Sequence, residues 1–200
     1  MIDPLLSLAF SIHSNKGVYA LLLGSGVSRS AGIPTGWEIL LDLIRKLAGL
    51  RGEDCVPDSW TWYTSTFGEE PSYSKLLEAI AKTPAERAQL LRTYFEPSED
   101  ERTRGLKAPT AAYEAIAQLV AKGYFRVIVT TNFDRLLEKA LEQAGIVPTV
   151  ISTPDAAVGA LPLTHNQCAV LKLHGDYLDI RIKNSPAELA VYDEDRKSVV

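Results

Sequence analysis

The stretch from Tyr19 to Glu38, YALLLGSGVSRSAGIPTGWE, decides the fold class of this chain. The apolar run from Val18 to Leu23 has the length of a buried strand, and it stops at Gly24-Ser25-Gly26. Thr35-Gly36-Trp37-Glu38 predicts a capping box ahead of a helix whose apolar positions run from Ile39 to Leu47. A strand, a glycine turn and a helix in this order offer backbone N–H groups and a helix dipole to an anion such as a pyrophosphate.

The glycine pair by itself does not identify a ligand. Glycine can adopt φ > 0 and lets a ligand come close to the backbone. The third glycine of the usual G-x-G-x-x-G pattern is replaced by Arg29, so a simple tight turn is the better interpretation of the pair alone. The wider pattern is more specific, because it reads G-x-G-x-S-x-x-x-G-I-P and consists of Gly24, Gly26, Ser28, Gly32, Ile33 and Pro34.

Composition narrows the class of protein. The chain has 200 residues, of which 46% are hydrophobic and 23% charged, as in an ordinary globular domain. A net charge of -4 argues against direct binding of nucleic acid. The two cysteines, Cys55 and Cys168, lie far apart, so we expect reduced thiols and no four-cysteine zinc site within this chain.

The N-terminus MIDPLLSLAF has no basic region ahead of its apolar residues, which argues against a secretory signal. No apolar run reaches the ~20 residues that span a bilayer. We therefore expect a soluble, cytoplasmic protein that does not enter the membrane.

Strands and helices alternate along most of the chain. After Val18 to Leu23, strands are predicted at Tyr124 to Thr131, Val147 to Ile151 and Ala169 to Leu173, each separated from the next by a helical pattern. This alternation predicts an α/β fold with a Rossmann-like, doubly wound parallel sheet.

One region departs from the alternation. Residues from about 51 to 107 are rich in aromatic side chains and helical patterns, which predicts a helical insertion in a single domain over residues 1–200. Its last part, Ser98 to Lys107, is expected to be a charged loop, and its basic residues, Arg102, Arg104 and Lys107, are more simply explained as a solvated face than as a phosphate site.

Polar residues follow three of the predicted strands. These are Gly24-Ser25-Gly26, then Thr131-Asn132-Phe133-Asp134, and finally His174-Gly175-Asp176. Ligands of open parallel sheets bind beyond the carboxyl ends of the strands, so the topology predicts one crevice lined by these segments. Taken singly, each residue has an ordinary explanation: Asn132 as a helix N-cap, Asp134 as a partner of a helix dipole, His174 as a strand-end histidine.

Together, the loop GSGVSRSAGIP, the segment TTNFD and the segment KLHG resemble the catalytic domain of the sirtuin superfamily, in the same order and roughly the same spacing. The resemblance spans most of Val18 to Asp176. It is strongest to the bacterial sirtuin-like NAD glycohydrolases of antiphage defence, which share G-I-P-T-x-W and a helical insertion.

The resemblance implies that NAD is bound and consumed as a substrate, and that the scissile N-glycosidic bond lies between Asn132 and His174. It places Gly24, Ser25, Gly26 and Ser28 at the phosphates and the nicotinamide-side ribose, and Asp134 toward the nicotinamide carboxamide. The matching motifs also assign Gly32, Ile33, Pro34 and Thr131 to NAD binding.

Departures from the family pattern leave alternatives open. The chain lacks the paired C-x-x-C zinc module of protein deacylases and has Thr35-Gly36-Trp37 after G-I-P, which weakens a deacylase function. A non-catalytic sensor of NAD or ADP-ribose is a second alternative. The chain stops at Ser198-Val199-Val200 where a family strand is expected, which indicates a missing C-terminal part. The resemblance also implies assembly into a homo-oligomer or with a defence-system partner.

Overall fold

A computed structural model describes residues 3–178 of the chain. These residues fall into two compact units, and each is described by itself. Residues 3–33 and 97–176 form the sheet unit, while residues 34–96, with 177 and 178, form the helical unit. The predicted insertion of 51–107 overlaps the helical unit, which begins and ends earlier in the chain. The strand expected at Ser198-Val199-Val200 lies outside the described residues.

The elements of the described residues are, in chain order, α1 (Pro4–Ser14), β1 (Tyr19–Leu23), α2 (Gly26–Arg29), α3 (Gly36–Arg51), α4 (Ser59–Phe67), α5 (Tyr73–Ile80), α6 (Pro84–Phe95), α7 (Glu99–Thr103), α8 (Ala111–Ala121), β2 (Phe125–Thr130), α9 (Leu136–Gln143), β3 (Thr149–Ile151), α10 (Pro154–Gly159), a 3-10 turn (Leu163–His165) and β4 (Ala169–Lys172).

The four strands form one parallel sheet in the order β1-β2-β4-β3. This confirms the predicted α/β, Rossmann-like architecture. Leu21 of β1 pairs with Ile128 of β2, and Ile128 pairs in turn with Val170 of β4. Ile128 and Val170 are fully buried, and each such side chain contributes roughly 1.5–3 kcal/mol to stability. The carboxyl ends of β1, β2 and β4 therefore lie side by side.

The helical unit is built from α3 to α6. Its first helix, α3, begins with the predicted capping box, in which Thr35 accepts from the N–H of Glu38 and Glu38 accepts from the N–H of Thr35. Gly52, in the left-handed conformation, ends this helix. The aromatic residues Trp62 and Tyr63 of α4 are buried, whereas Phe67 is exposed.

One local prediction is wrong. The segment Ser98 to Lys107, predicted to be a charged loop, contains the helix α7, because Ser98 and Glu101 form a capping box. Helix α8 begins at Ala111 after the N-cap Thr110. In the glycine loop, Gly32 adopts a positive φ of +82°.

None of the helices within residues 3–178 is long and apolar enough to cross a membrane.

Candidate functional site

The glycine loop follows the carboxyl end of β1, and its first residues are exposed. Gly24, Ser25 and Gly26 are exposed, and a Cβ on Gly26 would meet no atom within 4 Å. The first turn of α2 is closed by bonds from the N–H of Val27 to Gly24 O and from the N–H of Ser28 to Ser25 O, both 3.2 Å. The loop therefore has room for a ligand close to its backbone.

The second half of the glycine loop packs into the sheet unit. Ala31 and Ile33 are buried, and Gly32 uses its left-handed backbone to turn between them. The carbonyl of Ala31 accepts a hydrogen bond of 2.6 Å from the N–H of Lys107, whose side chain is buried against Glu101 at 3.0 Å. Of the predicted basic face, Lys107 is thus a buried structural residue, whereas Arg102 and Arg104 are exposed. Pro34 is the first residue of the helical unit.

Asn132 follows β2 and contacts the glycine loop directly. Its Nδ2 donates to Gly24 O at 3.2 Å and lies 3.1 Å from Ser28 Oγ and 3.3 Å from the hydroxyl of Tyr113. Its backbone N–H donates to Thr130 Oγ1 at 3.0 Å. Asn132 is not the N-cap of α9, because that position belongs to Arg135.

The orientation of the Asn132 amide follows from its partners. A backbone carbonyl only accepts, so the nitrogen of the amide must face Gly24 O and the oxygen must point elsewhere. That oxygen, Oδ1, is buried and has no hydrogen-bond partner among residues 3–178. A buried acceptor without a donor is costly, so this atom requires a water or a ligand hydroxyl or amide.

The hydroxyl of Ser28 is the centre of the network around this amide. It donates to Asp134 Oδ2 at 2.7 Å, and because its only proton is used there, it accepts from the hydroxyl of Tyr113 at 2.7 Å. Burial, strengthened by the charge of Asp134, raises the pKa of Tyr113 well above its usual range, so the phenol stays protonated and able to donate. The network fixes the orientation of the Asn132 amide.

Asp134 is 5% exposed, and both of its carboxylate oxygens accept hydrogen bonds from other residues of the chain. Oδ1 accepts from the N–H of Leu136 at 3.0 Å, in the first turn of α9, while Oδ2 accepts from Ser28. The expected contact of this carboxylate with nicotinamide stays a prediction. What the structure shows is a carboxylate that anchors Ser28 to the start of α9.

His174 lies just beyond the carboxyl end of β4, at the same edge of the sheet as Asn132. It is exposed, its ring centroid lies 6.1 Å from that of Phe133, and within residues 3–178 its imidazole forms no hydrogen bond. The N–H of the preceding residue, Leu173, donates to Thr130 O at 2.9 Å, which ties this loop to the end of β2. The imidazole is thus accessible to solvent at the sheet edge that also carries Asn132.

Thr131 bridges two of the three segments. Its N–H donates to Leu23 O at 3.2 Å, and a Cβ on Gly24 would lie 3.9 Å from its Oγ1. The structure therefore brings Gly24, Ser28 and Asn132 together with Thr131 and Asp134 at one edge of the sheet.

Two residues of this site were not predicted from the sequence. Tyr113 shares one face of α8 with the buried Ala117 and Val120, so its spacing indicated only a core position. Lys172, the last and single charged residue of β4, is buried and donates from Nζ to the carbonyl of Asp134; a lysine that ends an apolar strand was the available signal of a buried charge. Within residues 3–178, no group of three or more histidine, cysteine or acidic side chains is arranged to hold a metal ion.

One family model matches part of the chain. The sequence model of the SIR2-like domain family matches residues 126–198, which include Asn132, Asp134 and His174 but not the glycine loop. The match supports a sirtuin-like domain, and SIR2-like domains use NAD. No curated protein matches the chain.

Proposed function

We propose that this chain is an NAD glycohydrolase that cleaves the bond between nicotinamide and ribose. The observation that carries the proposal is the buried Asn132 Oδ1, which receives no donor from residues 3–178 while its amide nitrogen is fixed on the carbonyl of the glycine loop. A ribose hydroxyl or a bound water would supply that donor. The match to an NAD-using family over the Asn132 and His174 segments supports the same conclusion.

The chemistry asks little of the protein as an acid, because the nicotinamide of NAD is a pyridinium that leaves the ribose as a neutral pyridine. Asn132 orients the sugar or the attacking water through Oδ1, while Ser28, Tyr113 and Asp134 keep its amide from rotating. His174 takes one proton from the attacking water. The oxygen of that water forms a bond to the ribose carbon as the bond between this carbon and nicotinamide breaks. The products are nicotinamide and ADP-ribose, or a cyclic form if a group of the substrate replaces water.

Release of nicotinamide from NAD, followed by chromatography, tests the proposal. We expect His174→Ala and Asn132→Ala to lower the rate by about 100-fold or more, as removal of a general base or an orienting group does. His165→Ala is the matched control, because His165 is also exposed in the sheet unit but lies in the turn before β4. Equal rates for the His174 and His165 variants would refute the assignment.

Product analysis also separates the alternatives. Binding of intact NAD without release of nicotinamide would favour a sensor, and consumption of NAD only in the presence of an acetyl-lysine peptide would favour a deacylase. Neither alternative is supported by a specific contact within residues 3–178.

The biological role that we propose is depletion of cytoplasmic NAD in antiviral defence, switched on through a homo-oligomer or a partner protein. The proposal rests on the resemblance of the three motifs to defence-system NADases. It predicts that cellular NAD falls during phage infection when the parent chain is expressed in its native system, and that it does not fall with the Asn132→Ala variant.

A further inference from the structure

Lys172, at the end of β4, has a side chain with 0% exposure. Its ammonium contacts the segment that carries Asn132, because Nζ donates to Asp134 O at 2.6 Å and lies 3.3 Å from Phe133 O. Both carbonyls belong to the short connection between β2 and α9. The lysine therefore holds the backbone of this connection directly behind Asn132.

The same ammonium also contacts the segment that carries His174. Nζ lies 3.0 Å from Asp176 Oδ2, and Asp176 follows His174 by two residues. A further contact of 3.1 Å reaches Glu138 Oε1 on α9. One cation is thus bonded to the Asn132 segment, to the His174 segment and to the helix between them in the chain.

The buried cluster is balanced in charge. Arg135 Nε lies 3.6 Å from Asp176 Oδ2 and 4.0 Å from Glu138 Oε1, so two cations face two carboxylates. Removing charges from water is expensive, and apolar side chains in place of the whole cluster would stabilise the fold about as well. What an apolar side chain cannot provide is directed bonds to a carbonyl on one segment and a carboxylate on the other. The cluster is therefore better explained by the positions that it gives to the Asn132 and His174 segments than by a contribution to the stability of the fold.

We propose that Lys172 is a positioning residue that fixes the distance between Asn132 and His174. It holds the Asn132 segment by the carbonyl of Asp134 and the His174 segment by the carboxylate of Asp176. This inference rests on the proposed function, in which the amide and the imidazole act on one substrate. A displacement of about 1 Å between two such groups lowers a rate by about 100-fold.

The first test compares Lys172→Met with Leu141→Ala in the full chain. Leu141 is fully buried on α9 and does not contact the cluster through a polar group, so its variant is a control for lost stability. Lys172→Met is expected to lower kcat for nicotinamide release about 100-fold, with the KM for NAD changed less than about 3-fold. Leu141→Ala, despite a lower melting temperature, keeps the kcat of the parent. An equal effect of both variants would overturn the proposal.

The second test does not need NAD. Proton–nitrogen NMR follows the side-chain amide of Asn132, and the imidazole of His174 is followed in the same samples. Asp176→Asn, which breaks one of the two arms, is expected to shift the His174 signals and leave the Asn132 amide unchanged. Lys172→Met shifts both. If the parent releases no nicotinamide yet these shifts occur, the proposed function fails and the positioning role stands; if neither variant moves either signal, the positioning role is refuted.

Discussion

Replacing Ser28 by alanine removes one oxygen atom, and we expect it to destabilise the sheet unit more than loss of the Tyr113 hydroxyl does. Without Ser28 Oγ, the buried Asp134 Oδ2 loses the donor that the structure gives it, and the Tyr113 hydroxyl loses its acceptor. Each buried polar group left unpaired costs about 1–3 kcal/mol, so the two together should lower the free energy of unfolding of Ser28→Ala by about 2–6 kcal/mol.

Tyr113→Phe leaves no such orphan. Ser28 Oγ still donates to Asp134, and the two hydrogens of Asn132 Nδ2 still have Gly24 O and Ser28 Oγ as acceptors. The phenyl ring keeps its volume in the core, where Tyr113 is 1% exposed. The loss is then that of ordinary hydrogen bonds, about 1 kcal/mol.

Urea unfolding followed by far-UV circular dichroism measures both changes, and Tyr124→Phe is the matched control. Within residues 3–178 the Tyr124 hydroxyl forms no hydrogen bond, so this variant should stay within about 0.5 kcal/mol of the parent. A larger loss for Tyr113→Phe than for Ser28→Ala would refute the reasoning, because it would make the phenol, and not the serine, the centre of the network.

Three further predictions concern single residues. Gly32→Ala should destabilise the fold by about 1–2 kcal/mol, because the φ of Gly32 is +82°. Gly49→Ala, inside α3 and with open space at its Cβ, should stabilise the fold by about 0.5–1 kcal/mol. Thermal melts of both variants check this, and equal shifts of the melting temperature would contradict it. Burial raises the pKa of the Cys168 thiol to about 11, so a thiol reagent should modify only Cys55 in the native protein and both cysteines in denaturant; native modification of Cys168 at the rate of Cys55 would contradict this. Burial also raises the pKa of Glu138 above its ordinary value of 4.5, against the opposing charge of its lysine partner, so the folded chain holds this proton more tightly than the unfolded chain. The contribution of Glu138 to stability should therefore fall as pH rises from about 4.5 through the raised pKa, and urea midpoints over that range should decline less for Glu138→Gln than for the parent.

The parallel sheet, and the meeting of the glycine loop with the Asn132 segment, could be predicted from the sequence because the strands themselves depend on short-range patterns. The apolar run before Gly24 and the β-branched run before Asn132 each define a strand by themselves, and parallel pairing then places their carboxyl ends at one edge. Capping boxes such as that of Thr35 fix helix starts in the same local way.

Other features of the site depend on partners far away in the chain. The Tyr113 hydroxyl belongs to the site only because α8 packs beside β2 and brings it to Ser28, 85 residues earlier in the chain. The acceptors of Lys172 are carbonyls and carboxylates whose positions no local pattern specifies. The use of Asp134 as an anchor likewise depends on a partner far away in the chain, the buried hydroxyl of Ser28.

The helical unit carries every tryptophan of the chain. Trp37, Trp60 and Trp62 all lie within residues 34–96; the rings of Trp37 and Trp60 are 5.1 Å apart, and Trp62 is buried. Indole emission excited at the red edge is thus an intrinsic optical label for the helical unit, with no dye to attach. A ligand that quenches this emission is altering the surroundings of the helices from Pro34 to Glu96, while one that leaves it constant can be acting on the sheet alone.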